Sequence, residues 1–176
     1  GLTYLLPIIV LPYLIRVIGP EKFGLIAFAQ AFVQYFMILT DYGFSISATR
    51  KISLCSGNKE KLCNIFSSVL TVKFILSAIS FLILLVAVTH VPKFKQDWLV
   101  YIFSFGAVVG NTLFPVWFFQ GKEKMVYTAS INIIGGITYV ISIFLFIKGP
   151  QDYLYVPLFN SLFFLVTGIS GLYIAF

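Results

Sequence analysis

Apolar runs long enough to cross a bilayer recur along the chain, separated by short polar breaks. They predict helices near 2–18, 24–48, 65–89, 98–119, 126–147 and 153–176, since about 20 apolar residues span the hydrocarbon core. A β-barrel would need strict alternation of polar and apolar positions, and these runs do not alternate. The predicted class is therefore all-α, a polytopic transmembrane helical bundle of about six spans.

The second run, Gly24 to Arg50, carries the most informative polar residues. Gln30, Gln34, Asp41 and Ser45 fall within about 60° of one another on a single helix, with Met37 and Ala48 between them. Phe28, Phe32, Tyr35, Leu39 and Ile46 occupy the opposite side. A lipid-surrounded helix has no use for such a stripe, whereas one lining a wet cavity does. Asp41 is its sharpest member, because a carboxylate at membrane depth is costly unless it meets water or a partner. The simpler alternative is that Asp41 sits at the headgroups and ends the span. Arg50 lies nine residues further on, about 900° around a regular helix and so on its far side, which argues against pairing with Asp41.

Other spans repeat the theme. The first holds Pro7 and Pro12, which membrane helices tolerate as kinks. Arg16 near its end suits snorkelling to an interface or a place in a cavity. The third holds Lys73 about a turn inside the hydrocarbon, with Ser77 and Ser80 at i+4 and i+7. In the fourth, Trp98 and Trp117 stand about 28 Å apart on one helix, a spacing that fits opposite interfacial belts. Gly106 and Gly110 form a GxxxG spacing that permits close helix contact. The fifth aligns Thr128, Asn132, Gly135, Tyr139 and Ser142, and the sixth Asn160, Thr167 and Gly171. Polar and small faces on several helices imply a bundle with a hydrated or tightly packed centre.

Composition agrees with this picture. Only 10% of residues are charged against 60% hydrophobic, where a soluble domain carries about 25% charged residues. Five of the six acids, Glu21, Glu60, Asp97, Glu123 and Asp152, lie in breaks, leaving Asp41 as the exception. The net charge of +6 comes from short flanking loops and points to headgroups and orientation, with no nucleic-acid partner. Arg50, Lys51, Lys59 and Lys61 cluster in one loop, and Lys122 and Lys124 share its predicted side. That side is expected to be cytoplasmic, with the N-terminus there too. Cys55 and Cys63 are too few for a metal site, so no metal is expected. Both ends stop inside apolar runs, and the chain is expected to be a fragment of a longer one.

Three blocks, LPYLIRVIGPEKFG, TDYGFSISATRKI and FPVWFFQGKEKM, resemble in order and spacing the landmarks of Wzx-type polysaccharide flippases. These belong to the multidrug/oligosaccharidyl-lipid/polysaccharide exporter superfamily. The matching positions include Pro12, Arg16, Asp41, Gly43, Arg50, Pro115, Trp117 and Gln120. The resemblance covers spans one to five, and span six by hydropathy alone. It implies half of a two-bundle transporter of the bacterial inner membrane. Such a protein carries undecaprenyl-diphosphate-linked oligosaccharide between leaflets by alternating access around a cationic cavity. Membrane lipids, a polysaccharide polymerase and a chain-length regulator are implied partners. No cofactor is implied, and the choice of coupling ion, H+ or Na+, stays open.

On this reading Arg16, Arg50 and Lys73 are candidates for phosphates or sugar acids. Gln30, Gln34, Asn132 and Asn160 are candidates for sugar hydroxyls, and Asp41 for a coupling ion or for orienting a cation. Two alternatives remain: a cation-coupled multidrug exporter of the same superfamily, and a non-transporting assembly fragment. A glycosyltransferase or polymerase would need paired carboxylates or a metal cluster on a sizeable loop. The isolated acids and short loops argue against catalysis.

Overall fold

The computed structural model describes the backbone of residues 2–55 and 58–175 and, within these, the side chains from Ile9 onward. The described residues form helices α1 (Leu2–Ile18), α2 (Pro20–Asp41), α3 (Phe44–Leu54), α4 (Lys59–His90), α5 (Pro92–Gln96), α6 (Trp98–Leu113), α7 (Val116–Gly121), α8 (Met125–Phe146) and α9 (Tyr155–Ala175). A short 3-10 turn, Pro150–Leu154, leads into α9. No strand occurs among the described residues. Among the described residues, five stretches are long and apolar enough to cross a membrane: Pro20–Leu54, Lys59–His90, Trp98–Gly121, Met125–Phe146 and Pro150–Ala175. The first expected span is helix α1, Leu2–Ile18.

Local chemistry sets the helix ends. Pro20 opens α2, where its missing N–H leaves no bond unmade. The Asn58 side chain accepts from the Lys61 N–H at 3.1 Å and starts α4. Asp152 accepts from the N–H groups of Lys148 and Gly149, each at 3.0 Å, and closes the turn before α9.

Two of the expected spans are broken. The expected helix 24–48 stops at Asp41, passes through Tyr42 and Gly43, and resumes as α3. Gly43 takes φ +75°, a left-handed conformation that glycine adopts without a Cβ penalty. The expected helix 98–119 breaks at Phe114 and Pro115. A proline disfavours helical geometry in the residue before it, and Phe114 is extended.

That second break corrects the placing of the two tryptophans. Trp98 is 46% exposed at the start of α6, but Trp117 is 2% exposed. Its ring packs on Phe66 in a small apolar cluster with Ala48, Ile52, Leu62 and Phe118. Once Pro115 redirects the chain, Trp117 belongs to the α3–α7 packing and not to an interfacial belt. Thr49 Oγ1 donates to Trp117 O at 3.2 Å across the same contact.

Helix α6 runs through the middle, packed by α2, α4 and α9, while α1 bridges α2 and α8. The α6–α9 approach depends on missing side chains. A Cβ on Gly106 would lie 2.8 Å from Ser161 Cβ, and one on Gly110 would lie 2.5 Å from Leu165 N. The GxxxG spacing is thus used against α9. Lys22, Asp97 and Tyr153 meet at one end of the bundle. Arg50 and Lys51 on α3, Lys59 and Lys61 in the first turn of α4, and Lys122 and Lys124 just after α7 lie at the other, so most of the basic loop expected from the sequence is helical.

Candidate functional site

Three helices bring polar groups to one point. Asp41 is the last residue of α2, Lys73 lies fourteen residues into α4, and Asn111 lies near the end of α6. Lys73 Nζ is 2.7 Å from Asp41 Oδ1. Asn111 Nδ2 donates to the other carboxylate oxygen, Oδ2, at 3.1 Å. Lys73 Nζ also reaches Asn111 O at 3.4 Å. One cation, one anion and one amide therefore form a closed, electrically neutral set.

The set is asymmetric in its exposure. The Lys73 side chain is 2% exposed and that of Asp41 is 47%. The ammonium is withdrawn among α2, α4 and α6, on the stripe that buries Ser77 and Ser80 as well. Lys73 stands about 21 Å along α4 from its first residue and about 26 Å from its last. A charge at that position needs its partner, because hydrocarbon does not solvate it. The carboxylate instead opens on a cavity of about 410 Å³ lined by Gln34, Met37, Ile38, Asp41, Tyr42, Gly43, Ser45 and Asn111.

The expected stripe assumed one unbroken helix, and the turn at Tyr42–Gly43 corrects that assumption. Even so, Gln34, Asp41 and Ser45 line the same cavity. Gln30 is half-buried further up α2 and outside that lining. Arg16 and Arg50 are exposed near opposite ends of the bundle, on α1 and α3. Asn132 is half-buried on α8. Asn160 is half-buried on α9, near the Tyr139 side chain. The structure thus joins Asp41, Lys73 and Gln34 in one region and leaves Arg16, Arg50, Asn132 and Asn160 apart from it. Between α8 and α9 runs a larger groove of about 480 Å³, mostly apolar, with Thr138, Tyr139, Ser142 and Thr167 among its lining.

Asn111 was not among the residues singled out from the sequence. Its signal was an amide in the middle of an apolar run, directly after the glycine of a close-packing motif. A polar side chain there needs a partner just as Asp41 and Lys73 do.

A family model described as "Polysaccharide biosynthesis protein" matches residues 1–176. The chain is 36% identical over 173 residues to a protein of Escherichia coli (strain K12) described as an O-antigen transporter, covering 98% of this chain and 41% of that protein. It is 32% identical over 176 residues to a Shigella dysenteriae protein of the same description, covering 99% and 43% respectively. The chain spans about two fifths of the length of these curated relatives. No solved structure matches it. The chain belongs to the polysaccharide biosynthesis protein family, as a multi-pass helical membrane protein.

Proposed function

We propose that this family member supplies one bundle of a flippase that moves a lipid-linked oligosaccharide, of the undecaprenyl-diphosphate type, across the bacterial inner membrane. Its chemistry is transport, with no covalent bond made or broken. A diphosphate and its sugars cannot enter hydrocarbon unaided, so a carrier must offer polar groups at depth and leave the lipid tail outside. The observation that carries the reading is the Asp41–Lys73–Asn111 set, whose open side lines a cavity together with Gln34 and Ser45.

In this reading Asp41 is the exposed half of a latch. Binding of H+ or Na+ at the carboxylate weakens its hold on Lys73, and the freed ammonium then turns to an anionic group of the substrate. Gln34 and Asn111 meet sugar hydroxyls. The left-handed Gly43 between α2 and α3 is the joint at which the cavity wall bends during alternating access. Arg50 and the other basic residues of the α3 end face the cytoplasm, as the positive-inside bias favours. Arg16, Asn132 and Asn160 enter the route only in the complete transporter, where further chain completes the cavity. A polymerase and a chain-length regulator would take the delivered units.

The test is made in cells carrying the full-length gene with Asp41→Asn, Lys73→Gln or Asn111→Leu. Surface polysaccharide is read on gels and membrane abundance by immunoblot. Polymer should be lost in the first two by far more than membrane abundance falls. Normal polymer in both would remove the set from the transport path.

A further inference from the structure

A second polar pocket lies at the bundle end opposite the basic cluster. It encloses about 310 Å³ between the first turns of α2 and the α5–α6 junction. Glu21, Lys22, Lys93, Asp97 and Tyr101 are in its wall beside Phe28. Two of these charges are already matched. Lys22 Nζ lies 3.7 Å from Asp97 Oδ1, and the Tyr153 hydroxyl donates to the same carboxylate at 3.2 Å. That leaves Lys93 and Glu21, both exposed and in no ion pair among the described residues. Lys93 Nζ sits 6.0 Å from the centroid of the Phe28 ring.

The third feature is a buried hydroxyl. Tyr101 is 0% exposed, and its Oη has no hydrogen-bond partner among the described residues. An unmatched phenol at a buried site is unfavourable, and a turn of the side chain toward the pocket it lines would bring the hydroxyl to a ligand acceptor there. The unmatched groups of the pocket are therefore one cation, one anion and one hydroxyl donor, on an aromatic floor. Trp98, half-exposed at the start of α6, is of the residue type that favours a membrane–water interface.

We propose that this pocket binds the headgroup of a zwitterionic aminophospholipid. Lys93 Nζ and the Tyr101 hydroxyl take the phosphate, Glu21 takes the primary ammonium, and the acyl chains run down past Phe28. An anionic headgroup would satisfy Lys93 and leave Glu21 unmatched. A choline headgroup would bring a cation that cannot donate a hydrogen bond to Glu21. Inorganic phosphate shares part of this chemistry, so the experiment must separate the two. The inference does not rest on the oligosaccharide substrate, only on the chain being a membrane-spanning bundle.

The test is native mass spectrometry of the full-length protein in detergent, with phosphatidylethanolamine, phosphatidylcholine or phosphatidylglycerol added in turn. Retention of phosphatidylethanolamine is expected to exceed that of the other two by roughly tenfold, the effect of one charge-assisted hydrogen bond. Glu21→Gln should erase the preference over phosphatidylcholine, and Lys93→Gln should weaken retention of all three. Tyr101→Phe should reduce retention of phosphatidylethanolamine without lowering the melting temperature, while Lys95→Gln should change nothing. Equal retention of the three lipids, or a preference for phosphatidylglycerol, would overturn the proposal. So would complete displacement by inorganic phosphate, or an unaltered preference in both Glu21→Gln and Tyr101→Phe.

Discussion

Removing either partner of the Asp41–Lys73 pair should have unequal consequences. Asp41→Ala leaves an ammonium that is almost wholly buried, held only by the carbonyl of Asn111 at 3.4 Å. Breaking a buried pair this way costs about 3 kcal/mol, the lower end of the usual range, because Asp41 itself was half in the open. Lys73→Met leaves a carboxylate that still faces the cavity and still accepts from Asn111 at 3.1 Å. Its loss should be nearer 1 kcal/mol, as for a partly solvated pair. The double variant removes both charges and should resemble Lys73→Met alone, so the cycle yields a coupling of about 3 kcal/mol. Reversible denaturation of the full-length protein in mixed micelles, followed by tryptophan fluorescence, measures all four corners. If Lys73→Met is the costlier single change, or if the two losses add, the buried cation is not what the pair stabilises and the reasoning fails.

Gly110→Leu should separate α6 from α9 and abolish a monodisperse peak in fluorescence-detected size-exclusion chromatography, since even a Cβ there meets the α9 backbone at 2.5 Å. Gly24→Ala meets nothing within 4 Å inside α2 and should raise stability by about 1 kcal/mol in the same denaturation assay. At Gly43 an alanine must adopt φ +75°, which should cost about 1 kcal/mol by that assay and slow surface-polymer formation more than it lowers abundance. Cys63, exposed near the start of α4, should react with an impermeant maleimide in inverted vesicles and not in intact spheroplasts. The reverse pattern would invert the proposed orientation.

Hydropathy carried most of the fold, because a helix crossing hydrocarbon must be apolar for its whole length. What it could not show were the two breaks. Tyr42–Gly43 and Phe114–Pro115 lie inside predominantly apolar runs, where length alone suggests one helix. The local signs were present in the glycine after Asp41–Tyr42 and in the proline before Val116, but hydrophobicity outweighed them. Missing the second break misplaced Trp117. The site was legible in parts. Asp41 and Lys73 each stood out as charges that hydrocarbon would not tolerate, and each was weighed alone. Their pairing depends on α2 and α4 running antiparallel with one particular offset, which no local pattern encodes. Asn111 was harder still, since a single amide next to GxxxG reads as part of the packing motif. The α6–α9 contact at Gly106 and Gly110 was visible as a spacing, though its partner helix was not.

The role of the open Asp41 carboxylate is measured with the purified full-length protein in proteoliposomes. A fluorescent lipid-linked oligosaccharide is loaded on one leaflet, and its appearance on the other is followed by quenching. Asp41→Asn should slow the initial rate by at least roughly tenfold, as for loss of a charged group acting in the rate-determining state. Rates are compared at equal folded protein per vesicle. Equal rates for the wild type and this variant would contradict that role.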